Sequence, residues 1–154
     1  MANSKTIPGK LIVVSIGDNA LDCQQDSTLN ITYNVTEDTP CKPDPTEAYT
    51  GFSWQTSTTD SATWNISFTL NATDANANNQ NSILDQLINT SNAVSIAFET
   101  SQASGTGLAF SSIFEGDGLI TDFSWNAPSE GVSTVDVTVQ GNGEPTFSVV
   151  PVTT

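Results

Sequence analysis

The sequence contains no histidine and no arginine, and only three lysines stand against 17 acidic residues, which gives a formal net charge of −14 at pH 7. Without histidine, neither a Ser-His nor a Cys-His catalytic pair can form. A pair of carboxylates could in principle serve a glycosidase, but with 17 acids in the chain any such pair is uninformative. We therefore predict that the protein is not an enzyme and that it uses no cofactor or metal.

The same shortage of cations excludes several classes of partner. Lys5, Lys10 and Lys42 cannot neutralise the phosphates on which binding to DNA or RNA depends. An anionic membrane surface is disfavoured for the same reason, and no apolar run is long enough to span a membrane. The excess of acidic residues is explained either by a need for solubility or by a surface that must repel a polyanion.

Cysteines and long hydrophobic runs are scarce as well. Cys23 and Cys41 are the only cysteines, and they could form one disulfide or remain thiols. The apolar run at 10–16 follows two lysines, but it is short and no small-residue cleavage site comes after it. A first strand is therefore expected there rather than a signal peptide.

Alternating apolar and polar residues dominate the rest of the 154-residue chain, whose length is typical of one domain. In 62–71, Trp64 and every second residue after it are apolar. Trp64 and Trp125 fall on apolar strand faces and are expected in the core rather than in a sugar-binding platform. The pattern predicts a mainly β fold, an antiparallel β-sandwich or partial barrel. Strands are predicted over 10–16, 28–36, 62–71, 93–99, 108–115, 118–126, 132–140 and 145–153.

Turn-forming residues separate these strands. Gly116-Asp117-Gly118 is predicted to join two strands, and Gly141-Asn142-Gly143 is predicted to form a hairpin turn. The segment 37–51 contains three prolines and four acids, so it cannot be a central strand and is expected to be a long loop.

Only one segment has helical periodicity. Residues 82–89 place Ile83, Leu84, Leu87 and Ile88 in one apolar stripe, which predicts a single flanking α-helix. The preceding DANANNQNSILD spaces its polar residues like the ligands of a calcium loop, but it lacks the glycine at the sixth position. A polar turn that leads into the helix is favoured there.

The second face of four strands is polar and free of lysine. In 28–36 the residues from Leu29 to Val35 are predicted to alternate, with the apolar ones buried and Thr or Asn on the opposite face. Across all four strands, Asp122 and Asp136 are the only charges on these polar faces. A sheet with such a surface tends to pair through its edge strands with other molecules, unless the strands close into a barrel. The alternatives are an ordinary Ser/Thr-rich sandwich face and the lining of a lumen that offers a polyanion few strong contacts.

The order of features resembles the major tail proteins, or tail tube subunits, of long-tailed bacteriophages and gene transfer agents. An opening GKLIVVSIG strand is followed by LDCQQDSTLNITYN, then by GFSWQTSTTDSATWNISFTL, where a strand follows an aromatic residue. The helix NSILDQLIN comes next. The block GDGLITDFSWNAPSEGVSTVDVTVQGNGEPTF is most similar to the family, with its Ala-Pro-containing turn and a strand that closes on Gln-Gly-Asn-Gly.

This resemblance implies a single tail tube domain over 1–154, with a long inter-subunit loop at 37–60 and terminal arms at 1–9 and 145–154. Six subunits would form a ring, and the rings would stack into a tube around a tape measure protein, capped by terminator and tip proteins. The tube would be assembled in the host cytoplasm, would belong to the virion tail, and would let DNA pass at genome ejection without specific binding. By hypothesis the lumen is lined by Thr28, Asn30, Thr32, Asn34, Thr63, Asn65, Ser67, Thr69, Asp122, Ser124, Asn126, Thr134, Asp136, Thr138 and Gln140.

Two other functions fit parts of the sequence. One is a secreted or surface β-sandwich module that binds carbohydrate or protein, which the lack of a signal peptide disfavours. The other is a sheath or capsid decoration protein. Sheath subunits are usually longer, and a decoration protein would have no reason for a lysine-free inner face.

Overall fold

The computed structural model describes residues 6–17, 19–21, 24–38, 56–72, 85, 91–100 and 108–152. A 3-10 turn at Gly9–Leu11 precedes eight strands, and the predicted mainly β fold is confirmed. The strands are β1 (Ile12–Ile16), β2 (Asn19–Ala20), β3 (Gln24–Asp38), β4 (Thr56–Asn71), β5 (Ala93–Thr100), β6 (Phe110–Asn126), β7 (Thr134–Gly141) and β8 (Thr146–Pro151). Of the predicted helix at 82–89, Asp85 is helical and the other residues lie outside the described ones. Among the described residues, no helix has the length and apolarity needed to cross a membrane.

The strands form one sheet in the order β2-β1-β5-β6-β7-β4-β3, with β8 also paired to β6. Every pairing whose register is resolved is antiparallel, including β1 with β5 and β4 with β7. The chain divides into two compact units, and the smaller one, Ile31–Trp64, contains the second half of β3 and the first half of β4. The larger unit contains the remaining strands.

Strand β6 corrects the sequence prediction, because it runs unbroken through the expected turn at Gly116-Asp117-Gly118. Gly116 pairs with Ile96 of β5, and Gly118 pairs with Val94 on one side and Gly141 on the other. Glycine is required at position 118 because β7 packs closely against β6 there, and not because the chain turns. A Cβ atom there would lie 2.5 Å from Cγ1 of Val139 and 2.9 Å from the carbonyl oxygen of Gln140.

The turn at Gly141-Asn142-Gly143 is present, but it does not fold β8 back onto β7 as a hairpin would. Gly143 has a φ of 96°, which suits glycine, and the Asn142 amide donates to the Asp117 carbonyl at 2.8 Å. β5 pairs with one edge of β6 over 113–119. Parts of this same stretch also pair with β7 and with β8, so β7 and β8 must both lie along the other edge of β6. Strand β6 is long enough to pair with both in succession.

The core of the larger unit is built from cross-strand rows of apolar side chains. Ile66 of β4 lies opposite Val139 of β7, which lies opposite Ile120 of β6, and all three are buried. The next row joins Phe68, Val137 and Phe123. Burial of such side chains supplies most of the folding free energy of a sheet.

Several of the expected core positions differ from the prediction. Trp64 is buried as expected, but Trp125, the penultimate residue of β6, is 46% exposed. In the smaller unit, the apolar residues of 28–36 are not buried either. Ile31, Tyr33 and Val35 are exposed on β3, which is the terminal strand of the sheet.

Polar contacts join β3 and β4 within the smaller unit. The Asn34 amide donates to Ser61 Oγ at 2.8 Å, and the Thr36 hydroxyl donates to Asp60. Glu37–Asp38 and Thr56–Asp60 are strand, so the expected loop at 37–60 is shorter at both ends, and 39–55 lie outside the described residues. Most of the expected arm at 145–154 is strand β8.

Candidate functional site

The candidate site is the polar face of strands β4, β7 and β6 in the larger unit. Directly opposite residues of an antiparallel ladder share a face, and the registers bring the predicted residues together. Ser67 lies opposite Thr138, which lies opposite Asp122. Thr69 lies opposite Asp136, which lies opposite Ser124. The rows on either side join Asn65 to Gln140 and join Asn71 to Thr134 and Asn126.

An irregularity in β6 makes this arrangement possible. The register shifts between Ile120 and Asp122, so Thr121 is an extra residue, a β-bulge. Side chains alternate along a strand, so in a regular ladder Thr121 would lie opposite Thr138 and Asp122 would share the face of Ile120. The bulge lets Ile120 enter the core while Asp122 joins the polar face.

Short side chains on this polar face hydrogen-bond to one another across the strands. The Thr69 hydroxyl donates to Asp136 Oδ1 at 2.6 Å, and the Ser67 and Thr138 hydroxyls lie 3.5 Å apart. At the β3 side, the Asn30 amide donates to Asn65 Oδ1 at 3.3 Å. Polar groups that are satisfied by their neighbours have less capacity to hold a passing ligand.

Ten of the fifteen predicted residues are thus placed on one face by the strand registers. They are Asn65, Ser67, Thr69, Asp122, Ser124, Asn126, Thr134, Asp136, Thr138 and Gln140. Asn30 is connected to them through Asn65, and Thr28 is an exposed residue of β3. Thr32, Asn34 and Thr63 belong to the smaller unit.

Sequence reasoning missed three carboxylates on the same face. Leu119 lies opposite Gln140, so Asp117 and Glu115, which precede Leu119 at alternate positions of β6, share the face of Gln140. Glu115 lies opposite Ala97 of β5, which puts Glu99 on this face too. The alternation of residues along β6 could have placed Glu115 and Asp117 on this face. They were missed because Gly116-Asp117-Gly118 was predicted to be a turn between two strands.

Among the described ionisable groups, Glu99 is the one whose pKa clearly departs from its ordinary value. Partial burial raises the pKa of its carboxyl group, and the nearby carboxylate of Glu115 raises it further. No lysine relieves this repulsion on the described part of the face. Lys10 lies on the 3-10 turn at Gly9–Leu11, and the other two lysines lie outside the described residues.

A cleft of about 640 Å³ lies beside β1 and the start of β3. Its lining includes Lys10, Gln24 and Asp26. The Gln24 amide accepts from the Val14 backbone N–H at 2.7 Å and donates to the Val14 carbonyl at 2.8 Å, so it is already bonded to the backbone of β1. In the described ranges, no three potential metal-binding side chains lie together. Apart from Asp85, the calcium-like segment at 74–85 lies outside these ranges.

Solved structures of tail assemblies share this fold. A chain of the virion of a native gene transfer agent particle matches with a TM-score of 0.67 at 11% identity, over 92% of this chain and 98% of that chain. The SPP1 tail tube matches with a TM-score of 0.64 at 12% identity, over 95% and 80%. The sheath/tube terminator of the extracellular contractile injection system PVC matches with a TM-score of 0.65 at 14% identity, over 96% and 99%.

The chain therefore has the fold of tail tube and tube terminator proteins, and the resemblance that the sequence indicated is confirmed at the level of the fold. No family model and no curated protein sequence matches the chain. At 11–14% identity the likeness concerns the backbone architecture.

Proposed function

We propose that this protein is a non-enzymatic structural subunit of a viral tail tube. Copies associate into hexameric rings, the rings stack, and the polar face of β4, β7 and β6 lines the lumen. The observation that carries this proposal is the continuous polar face itself, which contains carboxylates and, among the described residues, no lysine. The likeness in fold to chains of tail tubes supports it.

The free edges of the sheet support ring formation. β3 is the last strand in the sheet order, and β8 pairs only with β6 within the described sheet. Unpaired strand edges favour pairing with another chain unless they are protected. Different edges on one molecule give a head-to-tail contact, which closes into a ring when the rotation allows it.

Electrostatics gives the lumen its role in genome ejection. At −14 per chain, six copies would carry about −84 per ring. DNA phosphates bind proteins mainly through lysine and arginine, so a wall without cations lets DNA move past without adhering. The proposed partners are further copies of this chain, a tape measure protein inside the tube, and terminator and tip proteins at its ends, all within the virion tail.

The test is electron microscopy of concentrated protein, followed by reconstruction of any tube. We expect rings or tubes in which Asp122 and Asp136 face the channel. Side chains of these residues that pack between rings or face outward would refute the lumen assignment. A chain that stays monomeric at every concentration would refute the tube function and favour the alternative, a β-sandwich binding module.

A pair of variants tests the repulsion of DNA. Tubes of the double variant Asp122→Lys, Asp136→Lys should retain double-stranded DNA at low salt, whereas wild-type tubes should not. Glu130→Lys is the control for a charge reversal away from the polar face, since Glu130 lies in an exposed turn. Equal retention by the control and the double variant would show that the position of the charge does not matter.

A further inference from the structure

Strand β3 carries an apolar surface that nothing in the described chain buries. Ile31, Tyr33 and Val35 stand at alternate positions and therefore share one face, and Tyr33 is 61% exposed. We call these three residues the β3 stripe. Exposed apolar residues scattered singly are ordinary, but a contiguous run marks an interaction surface.

Strand β8 carries a second surface of the same kind. Phe147, Val149 and Pro151 stand at alternate positions, and Phe147 is 67% exposed. Phe147 lies opposite the buried Phe114, and the exposed Phe110 lies opposite Pro151, so an apolar face of β6 continues uncovered onto β8. We call Phe147, Val149 and Pro151 the β8 stripe.

The two stripes match in length and chemistry. Each has three apolar residues at every second position of one strand, and neither contains a charged residue. The other large apolar residues that are exposed do not form such a run on one strand. They are Ile7, Leu119, Trp125, Val132 and Val150, with Phe110 beside the β8 stripe.

We propose that the β3 stripe of one copy packs against the β8 stripe of a second copy. Two copies of a chain with a net charge of −14 repel each other, and in the described part of the chain only Lys10 could form an ion pair between them. Apolar contact supplies an attraction between copies that needs no ion pair, and these stripes are the runs available for it. The inference rests on the proposed assembly into a tube and names a contact within it.

Because the two stripes are different surfaces of one molecule, the contact is head-to-tail. Each copy still has one free stripe after the contact forms, so the association repeats until it closes into a ring or grows as a filament. A symmetric dimer would instead leave no stripe free for a third copy. The contact thus explains how a repeating assembly can form from a single chain.

The experiment uses disulfide trapping between two singly substituted proteins. In the full chain with Cys23→Ser and Cys41→Ser, one protein carries Tyr33→Cys and the other carries Phe147→Cys. Mixed under assembly conditions and oxidised, they should give a crosslinked dimer that contains one copy of each. The control mixture pairs Tyr33→Cys with Val132→Cys, which is equally exposed at 62% but lies outside both stripes, and it should give no dimer.

A second measurement guards against variants that assemble poorly. Phe147→Ser should raise the critical concentration for assembly by about tenfold or more, which corresponds to the loss of one buried large apolar side chain. Val132→Ser should leave this concentration unchanged. Adding Tyr33→Ser to Phe147→Ser should have little further effect, since the two residues act in one contact.

The outcomes separate the inference from the proposed function. Tubes that form while the Tyr33 and Phe147 cysteines fail to crosslink, with additive effects of the two serine variants, would overturn the stripe contact and leave the tube function standing. A wild-type chain that remains monomeric in electron micrographs would overturn both. Crosslinking above the control, with non-additive serine variants, supports the contact.

Discussion

At the scale of single residues, the most constrained position is a glycine within a strand. Gly118 is buried between β5 and β7, and a Cβ atom at this position would lie within 3 Å of both Val139 and the Gln140 backbone. Glycine generally weakens a strand, so its presence here needs a packing reason. That reason is the approach of the Gln140 backbone, which cannot move without breaking the β6–β7 ladder.

We predict that Gly118→Ala destabilises the protein by about 1–3 kcal/mol, because the new methyl group overlaps Val139 and the Gln140 carbonyl. The measurement is the free energy of unfolding from urea denaturation. Gly9→Ala is the control, since a Cβ at Gly9 meets no atom within 4 Å. Equal stability of the two variants would contradict the packing argument.

A second residue-scale prediction concerns Glu99, whose pKa is raised above 4.5 by partial burial and by Glu115. The folded state binds this proton more tightly than the unfolded chain does. The stability that Glu99 contributes is therefore full below pH 4.5 and is lost as the pH rises through its raised pKa. Glu99→Gln should raise the melting temperature at neutral pH. It should also reduce the loss of stability that the wild type shows as the pH rises through the pKa of Glu99.

Thermal unfolding of Glu99→Gln and wild type at a series of pH values checks this. Glu130→Gln, which removes a carboxylate from an exposed turn, should keep the wild-type pH dependence. If Glu99→Gln lowers the melting temperature at neutral pH, the carboxylate stabilises the fold and the sign of the argument is wrong.

At the scale of the strand, β6 organises the molecule. It pairs with β5 on one edge and with β7 and β8 in succession on the other. Its bulge at Thr121 changes which residues face the core: Gly118 and Ile120 face it in the first part of the strand, and the half-buried Phe123 faces it in the second part. The bulge thus puts Asp117 and Asp122 on the same polar face.

We predict that deleting Thr121 costs less than about 3 kcal/mol, because Asp122 would then follow Ile120 directly and stay opposite Thr138, so the residues from Asp122 to Asn126 would keep their faces. The buried Val135 and Val137 would keep Trp125 and Phe123 as their cross-strand neighbours. Thr121→Ser keeps both the residue count and a hydroxyl that can donate to the Thr138 carbonyl, and it should change stability by less than about 0.5 kcal/mol.

The free energies of unfolding of these two variants, measured in urea, decide the matter. A deletion variant that loses more than about 3 kcal/mol relative to Thr121→Ser would mean that the residues from Asp122 to Asn126 had exchanged faces and that polar side chains had entered the core.

At the scale of the whole molecule, charge and apolar surface act in opposite directions. The net charge of −14 opposes association of copies, whereas the free sheet edges and the two exposed stripes favour it. Because salt screens charge repulsion but leaves apolar contact intact, salt can separate the two effects.

We predict that the critical concentration for assembly falls as salt is raised from about 0.01 M to 0.15 M, over which the Debye length shrinks from about 30 Å to about 8 Å. Light scattering against protein concentration provides the measurement. Sucrose at matched osmolality is the control for effects on water activity, and it should not reproduce the full change. Assembly that weakens with salt would mean that ion pairs hold the copies together.

The strand positions could be predicted from the sequence because alternation is a local property. In β4 and β7 the apolar residues that the pattern assigned to one face are buried, Ile66 and Val137 among them. The helix predicted at 82–89 rests on an equally local pattern, and it stays a prediction, because Asp85, which is helical, is its one residue among those described. Predictions failed where glycine had two possible uses, as at Gly118, because a turn and a close approach have the same sequence signal.

The sequence by itself determined the alternating strands and the absence of cations from the polar faces, since both follow from the order and type of neighbouring residues. Only the tertiary structure decided that β8 joins β6, that a bulge brings Asp122 onto the face of Asp136, and that Tyr33 stays exposed. The physical reason is that pairing and burial depend on partners remote in the chain, whose register no local pattern specifies.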